Sequence, residues 1–282
     1  WEDVEFVAKT AELFTAEVDA SPVERTFGKP TILTTDGPVH KELRAGIDPK
    51  YKPKPVAAYI EDLVRPIAES YLEPLIARGS GDLMAEYFEP ISTLSLARSF
   101  GFDDVDMPTL RRWFYGLAQG AINFENDPAR QAIGDAVSAE ISAKADAIFA
   151  RLEGSPDDSA LSHMLHDGMP AGKTRPRAFL LPTVKVTLLG GMQEPGHGAG
   201  SVLVGLLTNP DQMRDVRDDP TLLPPAVDEG LRWVAPISQR STRSSPTCSM
   251  PAFMCMAAPS RHAISMRAVE SESASDNATA SS

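Results

Sequence analysis

The chain has 282 residues and a formal net charge of −12, with 42% hydrophobic and 23% charged residues, a composition of a soluble protein long enough for one large core or two small ones. The acidic balance argues against a phosphate backbone as the main partner, which needs clustered Lys and Arg, and no apolar run reaches the ~18 residues of a membrane span. Two cysteines, Cys248 and Cys255, exclude a disulfide framework and make a reducing, cytoplasmic setting the expectation.

The opening residues, Trp1-Glu2-Asp3-Val4-Glu5, are acidic and do not begin a secretory signal; without an initial Met, a fragment is expected. Thr31-Ile32-Leu33-Thr34 is the best strand signal in a body otherwise dominated by helical periodicity. Asp36-Gly37-Pro38 reads as a helix start, with Asp36 as N-cap and Pro38 in the first turn. His40 and Arg44 follow four apart, on one helical face. Two donors side by side suit a carboxylate or phosphate, and the competing reading is a solvated polar face.

Apolar positions recur at helical spacing from Val56 to Leu75, from Thr109 to Gly120 and from Ile133 to Leu152, the last run ending at Gly154-Ser155-Pro156. His163 and His166 are three apart with no third ligand nearby, and read as a surface helix end rather than a metal site. From about Ala178 to Leu207 the chain is nearly uncharged and apolar on all sides, which implies a helix buried through the middle of the protein. Its centre, Gly190-Gly191-Met192-Gln193-Glu194-Pro195-Gly196-His197, is a poor helix interior. A carboxylate there resists ionisation and could relay protons if water reaches it; a structural kink is the alternative. Glu229 and Arg232 are spaced for a bidentate pair. After Arg243 the pattern is lost, and residues 270–282 read as a disordered tail.

In combination and order, these three motifs resemble the cytochrome P450 family of haem-thiolate monooxygenases. Longer stretches, Ile32 to His40, Leu83 to Pro90 and Met192 to His197, are similar to the haem domain of bacterial reductase-fused cytochromes P450 and to thiocarbamate-degrading relatives. The resemblance implies a mainly α cytochrome P450-like fold with small β elements, incomplete in this chain. It places His40, Arg44 and Arg243 as haem-propionate partners and Glu194 as the acid over the distal haem face. Glu229 and Arg232 become a structural pair. Leu189, Gly190, Gln193, Ala235, Ile237 and Ser238 become substrate-pocket candidates. The implied cofactor is haem, the substrate a small organic molecule, and the electron source a ferredoxin with its reductase, or a fused reductase, drawing on NAD(P)H.

Two departures qualify the match. Met192 and Pro195 stand where the family pattern has a Gly and a Thr, so proton delivery rests on Glu194 with waters or His197. Neither Cys248 nor Cys255 lies in the family's Phe-x-x-Gly-x-x-x-Cys-x-Gly ligand loop. The expectation is therefore a partial haem domain over 1–243, truncated at both ends, and an atypical tail over 244–282 that is frame-shifted or disordered; a divergent C-terminus is the alternative. The literal chain is expected to be an inactive monooxygenase fragment with much of the central helix exposed. The competing reading is a non-catalytic helical remnant or interaction domain without haem.

Overall fold

The computed structural model describes residues 2–10 and 13–234 and the backbone of 243–244. A first helix, α1 (Glu2–Lys9), leads to β1 (Phe14–Thr15), the short α2 (Pro22–Phe27) and α3 (Gly37–Ile47). The next helical stretch is α4 (Pro53–Tyr59), a π-helical turn at Ile60–Val64, and α5 (Arg65–Arg78). A second π-helical turn, Met84–Phe88, feeds α6 (Glu89–Phe100). Then come α7 (Met107–Ala121), α8 (Pro128–Gly154) and α9 (Ala160–His166). The central pair is α10 (Arg177–Met192) and α11 (Glu194–Thr208), followed by α12 (Pro210–Asp218) and α13 (Leu223–Trp233). The only strand pairing among the described residues is β1 with β2 (Arg243–Ser244), antiparallel, with Phe14 opposite Ser244. The fold is thus mainly α with small β elements, as the sequence implies.

The densest packing is the antiparallel hairpin of α7 and α8. Asp106 caps α7 through the Thr109 amide at 2.9 Å, and Asp127 caps α8 through the Ala129 amide at 2.8 Å. Asn123 closes the loop between them, exchanging two 2.8 Å bonds with the backbone of Asp127. The helices approach so closely that a Cβ on Gly134 would lie 2.8 Å from Gly120 Cα. Trp113, Leu117, Ile141, Phe149 and Leu152 fill the space beneath and join Leu180, Val184 and Leu188 of α10 in one core.

Three local expectations are corrected. Thr31–Thr34 is a turn, not a strand. Thr31 Oγ1 accepts from the amides of Leu33 (3.2 Å) and Thr34 (3.1 Å), donors that a strand would offer to a neighbour. Asp36 stands at the N-cap position of α3 but does not cap it. Its carboxylate accepts from Thr15 Oγ1 (2.6 Å) and the Ala16 amide (2.8 Å), and so ties the β1 segment to α3. His163 and His166 are not a loose surface end. Each ring bonds a carbonyl near the end of another helix, Gly46 O of α3 at 2.6 Å and Leu152 O of α8 at 3.0 Å, which holds α9 between them.

The central helix is more deeply buried in its first half than in its second. Most of α10 is buried, whereas α11 buries chiefly its small residues and Val202. α13 lies on α11 through Gly230, where an added Cβ would meet Val202 Cγ2 at 2.6 Å. Leu223, Val227, Leu231 and Trp233 of α13 remain exposed. Among the described residues no helix is long and apolar enough to cross a membrane.

Among the described residues two cationic side chains are buried, Arg175, which pairs with Glu42, and Lys185, which faces no carboxylate within bonding distance. Lys185 of α10 is 7% exposed, and its ammonium donates to Ser138 Oγ at 2.9 Å, which in turn donates to Thr26 O at 2.6 Å. Burial pushes this amine below its ordinary 10.5, against the opposing pull of the Asp146 carboxylate. An amine lower in the folded than in the unfolded chain is a penalty wherever it is protonated, and the penalty is relieved as pH rises through the folded value toward 10.5. Lys185→Met is expected to raise the unfolding free energy at neutral pH by roughly 1–3 kcal/mol and to flatten the alkaline rise in stability. Urea unfolding at neutral and alkaline pH measures both, and a variant less stable than the wild type contradicts the assignment.

Candidate functional site at the break of the central helix

The run that opens with Arg177 cannot continue as one helix past Met192. Pro195 has no amide to offer the carbonyl one turn back, and two glycines precede the break. The chain accordingly leaves the α10 axis at Gln193 and restarts as α11 at Glu194. A break inside protein leaves carbonyls that water does not reach. Here two hydroxyls from adjacent residues of α6 supply the partners. Thr93 Oγ1 donates to Met192 O at 3.0 Å, and Ser92 Oγ donates to the same oxygen. Past the break the Gln193 carbonyl accepts from the His197 amide at 2.9 Å, the first bond of the new helix.

Small residues let other elements reach this point. A Cβ on Gly191 would lie 2.9 Å from Leu96 Cδ2 of α6. One on Gly196 would lie 3.0 Å from Phe88 O, and one on Gly200 would lie 2.5 Å from Met84 Sδ. The first turn of α11 therefore sits directly on the Met84–Phe88 turn and the start of α6.

Glu194 occupies that first turn. Its Oε2 is buried and has no hydrogen-bond partner. Burial pushes the carboxyl up to about 7, and the backbone amides at Gln193 and Glu194 offset this only in part. Such an acid is partly protonated near neutral pH, so it can both give and take a proton. His197, one turn on, is pushed below its ordinary value by burial, and the Glu89 charge opposes that shift.

The other residues singled out by sequence fall in different places. Gln193 is buried and turned toward α6, donating to Glu89 Oε1 at 3.2 Å. Leu189 is part of the core, while Gly190 borders open space, with nothing within 4 Å of an added Cβ. Ala235, Ile237, Ser238, the Arg243 side chain and the tail beyond residue 244 lie outside the described residues. His40 and Arg44 share one exposed face of α3, as their spacing requires. Arg44 donates to His40 Nε2 at 3.3 Å and to Asp48 Oδ1 at 3.1 Å. Glu229 and Arg232 form the expected bidentate pair, both bonds 2.6 Å, on the exposed side of α13. Sequence reasoning missed Ser92, Thr93, Glu89 and Arg111, all distant in sequence from the break that they support.

A carboxyl that titrates near 7 instead of 4.5 binds its proton more tightly in the folded chain. Stability therefore falls as pH rises from about 4.5 to about 7 and stays reduced above, by roughly 3 kcal/mol at ~1.4 kcal/mol per unit. Glu194→Gln is expected to recover roughly 2–3 kcal/mol at pH 8 and to change little at pH 4. Denaturant unfolding at the two pH values checks this, and equal effects at both contradict it.

No family model matches the chain. Curated relatives do. Cytochrome P450 130 of Mycobacterium tuberculosis is 29% identical over 210 residues, which are 74% of this chain and 50% of that protein. Cytochrome P450 CYP107DY1 of Priestia megaterium is 27% identical over 217 residues, 76% of this chain and 51% of that protein. Among solved structures, ligand-free cytochrome P450 TbtJ1 superposes with a TM-score of 0.74 at 24% identity, covering 91% of this chain and 66% of that one. By sequence and by fold the chain is related to the bacterial cytochromes P450, and it spans about half the length of the curated relatives it matches.

Proposed function

We propose that this chain is part of a haem-thiolate monooxygenase and supplies the proton-handling and substrate-facing side of its active site. The observation that carries this reading is the orphaned, buried Oε2 of Glu194 at the break of the central helix. Haem would provide the activation of dioxygen when bound. The proposed substrate is a small organic molecule. The proposed electron source is a ferredoxin with its reductase, or a fused reductase, and the proposed compartment is the cytoplasm.

The described residues fit the periphery of a haem but not its axial ligation. His40 and Arg44 present two nitrogen donors on one face, suited to a propionate in place of the Asp48 carboxylate that Arg44 now holds. No cysteine stands among the described residues, and no cluster among them is suited to a metal ion. The contribution of the described residues is placement and proton traffic. Glu194 holds a proton at a buried oxygen with no competing donor. Gly190 leaves the helix surface before the break free of side chain, so a small molecule can lie against backbone. Pro195 places no hydroxyl where the family pattern has one, which leaves Glu194 and His197 as the ionisable groups of the α11 first turn.

The test is a chimaera in which residues 1–234 replace the corresponding part of the Mycobacterium tuberculosis relative, which brings its own cysteine loop. The expected result is the red-shifted carbon monoxide band of a thiolate-ligated ferrous haem. Glu194→Gln is expected to leave that band intact and to lower the fraction of NAD(P)H consumption coupled to substrate oxidation. The chain alone, given hemin, is expected to lack the band. A soluble chimaera without it overturns the reading.

A further inference from the structure

Glu89, the first residue of α6, touches the break from two sides. Its backbone lies against the first turn of α11, its amide 3.3 Å from where a Cβ on Gly196 would be. Its side chain reaches the residue before Glu194, with Oε1 accepting from Gln193 Nε2 at 3.2 Å. The same carboxylate also takes Arg111 of α7 in bidentate fashion, Oε1 from Nε at 2.9 Å and Oε2 from a terminal nitrogen at 3.2 Å. Arg111 is fixed in turn by Ala85 O at 2.5 Å. The Glu89 side chain is only 13% exposed and Arg111 39%, so the carboxylate end of the pair is sheltered while the guanidinium reaches solvent. The ionisable groups on the elements packed at the break include Glu89 of α6, Arg111 of α7 with Tyr115 and Tyr71 near it, Glu86 and Tyr87 of the Met84–Phe88 turn, and Glu194 and His197 of α11.

We propose that Glu89 is a positioning residue for the break: a single carboxylate holds Arg111 and Gln193 together, so the shielding of Glu194 from water depends on where α7 sits. The physical reason is that both donors share one acceptor, whose direction Arg111 fixes. With Arg111 in place, the carboxylate is fixed and Gln193 is drawn onto α6. If Arg111 withdraws, the unpaired carboxylate turns toward water, Gln193 loses its partner, and the turn that covers Glu194 loosens. Movement of α7 is thereby linked to the proton affinity of an acid on another helix. The inference rests on the reading of Glu194 as the proton-handling acid.

The experiment is an infrared titration of the full chain, following the protonated carboxyl band that Glu194→Gln removes. The wild type is expected to titrate near 7. Glu89→Gln, Gln193→Met and Arg111→Met are each expected to lower that midpoint by on the order of one unit as water enters. Arg112→Met, which breaks the neighbouring exposed pair of α7 with Glu140, is expected to leave it unchanged. Circular dichroism identifies which variants are folded, and Gln193→Met, which keeps both charges, serves if the charge variants unfold. Unchanged midpoints in folded Glu89→Gln and Gln193→Met overturn the proposal and leave the role of Glu194 standing. A shift in Gln193→Met without one in Arg111→Met overturns the link to α7. Absence of any wild-type band near 7 that Glu194→Gln removes overturns both.

Discussion

A helix interrupted inside a protein has to find partners for the backbone groups it frees, and water is not at hand to supply them. In this chain the oxygen of Met192 is that group, and the hydroxyls of Ser92 and Thr93 meet it together. An orphaned carbonyl at this depth would cost ~1–3 kcal/mol, so the two hydroxyls decide whether the break is a stable feature or a strained one. Their adjacency in α6 also fixes the direction in which the chain turns. From that turn follow the contact of α11 with the start of α6, the inward position of Gln193 and the burial of one carboxylate oxygen of Glu194.

The electrostatics follow from the same packing. Glu194 is raised by burial more than by any charged neighbour, and it keeps an unspent oxygen. Glu89, which bonds the residue before Glu194, is held between a guanidinium and an amide. Two acids in one neighbourhood thus differ in their surroundings: Glu194 keeps a buried oxygen without a partner, and Glu89 is held by Arg111 and Gln193. The His40–Arg44 face of α3 and the Glu229–Arg232 pair on α13 are built differently, each satisfied locally at the surface.

Much of this was legible in the sequence, for identifiable reasons. The helices α7 and α8, the long central apolar run and its interruption were readable because periodicity and the chemistry of Gly and Pro act over a few residues. The side-by-side placement of His40 and Arg44, and of Glu229 and Arg232, follows from helical spacing alone. What failed was local competition and distance. Thr31–Thr34 carries a strand composition, but its own hydroxyls take the backbone donors. Asp36 has the chemistry of a cap and spends it on Thr15 and Ala16. His163 and His166 looked unremarkable because their partners, Gly46 and Leu152, lie 117 and 14 residues away. Ser92, Thr93, Glu89 and Arg111 gave no local signal at all, since their roles exist only once α6, α7 and the break are brought together.

The claim on which the rest depends is that the two α6 hydroxyls hold the break. Amide hydrogen exchange across residues 189–198, compared between the wild type and the Ser92→Ala/Thr93→Val double variant, addresses it directly. The account predicts faster exchange confined to the break and the first turn of α11, with protection of the α7–α8 hairpin unchanged. Exchange that is unaltered at the break, or accelerated evenly over the whole chain, would contradict it.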